Sequence, residues 1–230
     1  MYKKGDYIFM KLLFILLCIM ILSCEKNVNT TTNDLNKLEM VNTVNYTKEN
    51  ILIAYFTWAD NTILEDPSKI NPDAETSASL LPPGNAGLIA NWIYEEVGGD
   101  LFSIITENKY PSDYNKCINQ ARKERDNNDR PKLTQKVNNI DNYDIIFLGF
   151  PNWWYTLPMA VFTFIESYDL SKKIIIPFCT HGTGGLSRTI VDLKKSLPND
   201  CIILEPIGIL RENVKNSKNE VLNWVRNLQY

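Results

Sequence analysis

The chain has 230 residues, 44% of them hydrophobic and 22% charged, with a formal net charge of −3. Those proportions suit an ordinary globular protein, and the length suits one folded domain with short appendages. A slightly acidic chain without a basic stripe excludes a nucleic-acid surface built on phosphate contacts.

Lys3, Lys4 and Lys11 precede an uninterrupted apolar run, Leu12 to Leu22, which ends in Ser23 and Cys24. The run has the length of a signal-peptide core and falls short of the roughly 20 residues that span a bilayer. Ile21 to Cys24 ("ILSC") resembles a bacterial lipobox. Residues 1–24 are therefore expected to be a lipoprotein signal peptide, with Cys24 as the lipidated residue and a membrane-anchored place in the bacterial cell envelope. An ordinary N-terminal anchor is the alternative. Residues 25–49 are rich in Asn, Thr, Lys and Glu, too polar to offset their ordering entropy, and are expected to form a flexible tether. The folded domain is expected over 50–230.

Five β-branched runs follow: "ILIAYFT" (51–57), "LFSII" (101–105), "YDIIFLGF" (143–150), "KIIIPF" (173–178) and "CIILEPIGIL" (201–210). They are nearly continuous apolar stretches, as strands covered on both faces require. Helical spacing fills the intervals at 86–97, 113–126, 158–168, 186–197 and 218–228, the last with Val221, Leu222, Val225 and Leu228 on one stripe. Five strand–helix alternations predict a doubly wound parallel α/β sheet with right-handed crossovers and helices on both faces. Residues 59–83 stand out as a long acidic insertion after the first strand, and a loop of that length is usually functional.

Ligands of such sheets bind beyond the carboxyl ends of the strands, where strand order reverses. In the order 2-1-3-4-5 the first, third and fourth strands are neighbours. The loops that follow them carry the Gly, Trp and hydroxyl residues, so one ligand could touch all three. After the first strand, Thr57 offers a hydroxyl, Gly84 a tight turn, and Asn85 and Ala86 a helix start, where free N–H groups and the helix dipole favour an anion. An ordinary capped helix is the plainer alternative there. After the third strand, Trp153 and Trp154 offer flat surface for a conjugated ring, one of the pair being expected to pack under the sheet edge instead. After the fourth, "THGTGG" (Thr180 to Gly185) offers backbone N–H groups at close approach, with His181, the one histidine, as a ligand contact. The loops after the second and fifth strands carry nothing notable.

"ILIAYFTWADNT", "PPGNAGLIANWI", "GGDLFSI", "YDIIFLGFPNWWYTLP" and "IIPFCTHGTGG" together resemble the flavodoxin-like FMN-binding proteins, in a bacterial branch whose phosphate loop is split by an insertion. The similarity runs from about Asn50 to the C-terminus. It implies a five-stranded flavodoxin-like sheet with FMN as cofactor. Thr57, Gly84, Asn85 and Ala86 would cradle the phosphate, with Trp58 nearby. The ring would lie between Pro151-Asn152-Trp153-Trp154-Tyr155 and Thr180-His181-Gly182-Thr183-Gly184-Gly185. Asp60-Asn61-Thr62 is the other candidate for the second half of the phosphate loop.

The service implied is electron or hydride transfer to a redox partner protein or a small, quinone-type substrate, with no catalytic amino acid and no metal. Acidic residues of the insertion (Asp60, Glu65, Asp66, Asp73, Glu75) would lower the flavin potential if close to the ring. Two rivals remain: a hydrolase or transferase using Cys179 with His181, and a lipid-anchored module that keeps the fold without a cofactor, for which Ala86 in place of a hydroxyl residue and the split loop speak. Cys117, Cys179 and Cys201 are otherwise expected to be small buried hydrophobes.

Overall fold

The computed structural model of the protein describes residues 50–64, 66, 70 and 79–230. The signal peptide, Cys24 and the tether lie outside the described residues, as do Glu65, Asp73 and Glu75 of the insertion. In chain order the elements are β1 (Ile51–Tyr55), α1 (Gly84–Val97), β2 (Asp100–Ser103), α2 (Tyr114–Asn127), β3 (Ile145–Pro151), α3 (Met159–Glu166), β4 (Ile174–His181), α4 (Thr189–Ser196), β5 (Ile202–Ile203), β6 (Ile207–Leu210) and α5 (Lys218–Asn227).

The strands pair in parallel in the order β2-β1-β3-β4-β5, with β6 also on β4. This is the expected doubly wound topology. The fifth strand is interrupted, because Pro206 carries no N–H to donate to the ladder. Its two halves continue along β4, Ile174 opposite Ile202 and Phe178 opposite Ile207.

Side chains of a strand alternate between faces, and the sheet sorts them accordingly. Leu52, Ala54, Ile146, Leu148, Phe150 and Ile175 join one core with Ala160, Phe164 and Leu193 of α3 and α4. Ile51, Ile53, Ile145, Phe147, Ile174 and Ile176 join the other with Ile89 and Ile93 of α1 and Val221 and Val225 of α5. Covering both faces buries the central strands throughout, which is why their sequences read as unbroken apolar runs. Gly149 has a specific reason: a Cβ there would stand 2.0 Å from Cζ of Phe178 on the neighbouring strand.

The start of the insertion is tied to the β2 side. The fully buried Asn61 donates through Nδ2 to the carbonyls of Thr57 and Ile104, both at 2.9 Å, and accepts at Oδ1 from the Thr106 N–H at 2.8 Å and hydroxyl at 3.0 Å. Thr62 Oγ1 donates to the Tyr110 carbonyl at 2.8 Å, and Ser103 Oγ donates to Asp60 at 2.6 Å. Among the described residues no helix is long and apolar enough to cross a membrane.

Candidate functional site

At the carboxyl end of the sheet a cleft of about 360 Å³ opens between the segments that follow β1, β3, β4 and β6 and the flank of α2. That volume lies in the range of small-molecule sites, about 300–1,000 Å³. Of the residues singled out in the sequence, Trp58, Pro151 through Tyr155 and Thr180 through Gly184 line it. Thr57, Gly84, Asn85, Ala86 and Gly185 do not. The first four are buried, and Gly84 packs so closely on Thr57 that an added Cβ would meet Thr57 Oγ1 at 1.9 Å.

The loop after β3 reverses within four residues. The Trp153 N–H donates to the Thr156 carbonyl at 3.0 Å and the Thr156 N–H donates back at 3.2 Å. Trp154 and Tyr155 both take left-handed backbone, φ 53° and 68°. Two such residues in succession mark the mirror-image tight turns, normally filled by Gly or Asn. Holding two aromatic residues there costs about 1–2 kcal/mol each and persists only where surrounding contacts enforce it.

Those contacts are visible. Trp154 Nε1 donates to the Ile118 carbonyl on α2 at 2.7 Å, and the Arg122 guanidinium lies 4.0 Å over its ring. Trp153 packs edge-on against Phe56 and Tyr110, at 5.3 and 5.1 Å between centroids. So Trp153 is the sheet-edge member of the pair, while Trp154 is anchored to α2. Tyr155, 61% exposed, presents the free aromatic surface. Its Cε1 stands 3.6 Å from where a Cβ of Gly184 would be.

The loops after β3 and β4 are joined by Asn152. Its N–H donates to the Thr180 carbonyl at 2.7 Å, and its side chain to the Gly185 carbonyl at 2.7 Å. Trp58, buried, forms a wall and fixes itself by donating from Nε1 to the Pro111 carbonyl at 3.1 Å. Ser79 brings the far end of the insertion back to the cleft, and Tyr114 and Cys117 contribute from α2. Burial, and secondarily Glu124, pushes the Cys117 thiol up to about 12.

The charge in the cleft comes from a residue the sequence reading passed over. Arg211, the first residue after β6, lines the cleft. Its Nε is buried and has no hydrogen-bond partner among the described residues. The rule that ligands sit beyond strand ends points to this position as it does to the others, but a lone Arg in a polar loop carries no motif. Asp60 does not line the cleft, since it serves Ser103 on the β2 side. The Asp60-Asn61-Thr62 alternative for the phosphate is likewise taken up by the hydrogen bonds that tie the insertion down.

Cys179 is fully buried, and burial raises its thiol far above the ordinary value. Its sulfur bonds the Thr180 carbonyl at 3.5 Å, while His181 Nδ1 faces the Gly182 carbonyl at 2.7 Å. Neither group is arranged to activate the other, so nucleophilic catalysis by this pair has no footing.

The flavodoxin family model matches residues 78–228. A provisionally assigned flavoprotein from Bacteroides eggerthii is 27% identical, with 75% of this chain and 97% of that one covered and a TM-score of 0.54. One from Bacteroides uniformis is 24% identical over 77% and 98%, with a TM-score of 0.58. A Lactobacillus acidophilus flavoprotein solved in complex with FMN is 17% identical over 73% and 97%, with a TM-score of 0.50. The latter two likenesses concern the fold. No curated protein matches. With two thirds of its length matched by the family model, on a parallel sheet of the same strand order, the chain belongs to the flavodoxin family.

Proposed function

We propose that this protein binds FMN in the cleft between the loops after β3 and β4 and serves as a redox protein, passing electrons or hydride to a partner protein or a small substrate. The observation that carries the reading is the convergence of Trp153, Trp154 and Tyr155 with Gly182 and Gly184 on one cleft at the switch point of a flavodoxin-family sheet. Bound there, the flavin supplies reversible electron and hydride chemistry.

The chain's own residues bind, orient and shield. The N-terminus of α1, which no side chain caps, carries the buried Gly84, Asn85 and Ala86 next to Thr57, and its helix dipole would suit a phosphate. Tyr155 offers stacking surface, and Asn152 holds the two loops at a fixed separation for a flat ring. The residues also fit the charge of the cofactor: the buried Nε of Arg211 lacks an acceptor, and an anionic group would supply one. Tyr155 is exposed at the cleft, where a partner would have access to the site.

The Cys24 lipid anchor is part of the proposal, supported by the apolar run and the "ILSC" sequence. In the intact bacterium the Cys24→Ala variant should leave the membrane fraction if the anchor is lipid at that residue, and an unchanged distribution refutes it. For the redox role, the purified full-length protein with FMN should show a bound-flavin visible spectrum that a chemical reductant bleaches and an electron acceptor restores. A spectrum identical to free FMN counts against the reading.

A further inference from the structure

Arg211 is fixed through its backbone. Its N–H donates to the His181 carbonyl at 2.7 Å, and its carbonyl accepts from Asn85 Nδ2 at 3.2 Å. Its guanidinium stands against Gly182, with Cζ and Nη1 each 3.7 Å from where a Cβ would be. Nε is buried without a hydrogen-bond partner, and the guanidinium makes no hydrogen bond or ion pair among the described residues. Two residues further along the same loop, a Cβ on Gly184 would stand 3.6 Å from Cε1 of Tyr155. The free cation and the exposed aromatic ring thus flank one glycine loop.

The charge of the cleft is one-sided. Among the described residues that line it there is no carboxylate, and Arg211 is the one permanent cation. Asp60, which the sequence suggested would oppose negative charge on the ring, serves Ser103 on the β2 side instead. A buried guanidinium donor left without an acceptor is costly. An oxidised flavin ring offers it only neutral acceptors. Two electrons and one proton reduce that ring and leave it with one negative charge. A hydrogen bond from a cation is stronger to an anion than to a neutral acceptor, the more so where water is scarce. Arg211 therefore interacts more strongly with the reduced form, and such a difference is what shifts an equilibrium.

We propose that Arg211 stabilises the anionic reduced flavin and so raises the reduction potential of the bound cofactor. This rests on the FMN reading above, in which the ring lies between the loops after β3 and β4. Arg211 itself takes up neither electron nor proton; it tunes the ring through its fixed charge. The loaded protein is thereby a better electron acceptor and a weaker donor than the same cleft without the cation.

The test compares the full-length wild type with Arg211→Gln, whose backbone keeps both hydrogen bonds of position 211. Fluorescence quenching gives the affinity for oxidised FMN. A spectroscopic titration of the FMN-loaded protein with dithionite, in mildly alkaline buffer with a reference dye, gives the midpoint potential. Glutamine keeps a donor, so oxidised FMN should bind within about threefold of wild type. Reduced FMN should lose about tenfold more than oxidised FMN, which for a two-electron couple lowers the midpoint by about 30 mV. An unchanged or higher midpoint overturns the proposal. So does an equal loss of affinity for both forms, which leaves the midpoint in place and assigns Arg211 to a part of the cofactor that does not change charge. Arg211→Lys keeps the charge and should hold the midpoint nearer to wild type than to Arg211→Gln; a lysine variant that falls as far as glutamine overturns the role of charge. If Arg211→Gln gives no cooperative melt, Arg211→Met is read instead, with the same fall expected and an unmoved midpoint decisive against the proposal. A wild type that binds no FMN defeats the FMN reading itself, which separates that failure from the failure of Arg211 alone.

Discussion

Gly84 and Gly185 make a paired experiment on the site. Both have left-handed backbone, φ 70° and 57°, but their surroundings differ. A Cβ on Gly84 would meet Thr57 Oγ1 at 1.9 Å and the side chain of Ala59 at 3.1 Å, whereas one on Gly185 would have nothing within 4 Å. Alanine at either position pays about 1–2 kcal/mol for the left-handed backbone, partly offset by the smaller entropy of its unfolded chain. At Gly84 it also meets overpacking, about 1–3 kcal/mol, because Thr57 is only 1% exposed and has no room to swing away. The common terms cancel, so Gly84→Ala should cost about 1–3 kcal/mol more than Gly185→Ala. In a domain of this size that is roughly 2–12 °C of Tm. Urea unfolding of the two full-length variants against wild type measures the difference. If Gly84→Ala costs no more than Gly185→Ala, the close packing of α1 on the β1 loop is misjudged, and with it the shape given to the phosphate end of the site.

Tyr155→Ala should weaken FMN binding by about tenfold through lost stacking surface, while Tyr155→Phe should leave it nearly unchanged; equal affinity in all three chains assigns the ring contact elsewhere. Asn61→Ala should destabilise the fold by about 2–4 kcal/mol, because it strands the buried Thr106 N–H and two carbonyls, and denaturant unfolding reads the loss directly. Glu124 gives a pH prediction. Burial raises its carboxyl above 4.5, with the bonds from Gln120 and Tyr110 pulling partly back. The folded chain therefore holds that proton more tightly than the unfolded chain does. This contribution is greatest below the unfolded value and is lost as pH rises through the folded one. Glu124→Gln should accordingly lose less stability than wild type as pH rises above about 4.5, and parallel curves would contradict the assignment.

The sheet was legible because covering both faces leaves an unmistakable trace. Ile145 to Phe150 and Ile174 to Phe178 are apolar without a break, and the helices between them keep a 3.6-residue stripe. The one irregularity, the split of the fifth strand at Pro206, was present in the sequence as a proline inside an apolar run. The two aromatic and glycine loops were legible because the switch-point rule says which loops matter. Which ring of "WWY" is free was not legible: that depends on a four-residue reversal and on Arg122 and Ile118 of α2, a helix distant in sequence. Arg211 escaped for a similar reason. Its meaning comes from Asn85, His181 and Gly182, which lie from 29 to 126 residues away along the chain and touch it only in the fold.

The central claim is that the cleft behind Tyr155 takes one phosphorylated flavin. Fluorescence titration of the full-length protein with FMN tests it with no assumption about electron donor or acceptor. The account predicts saturable quenching that ends at one flavin per chain. Emission that stays proportional to added FMN throughout, as for the free compound, would contradict it.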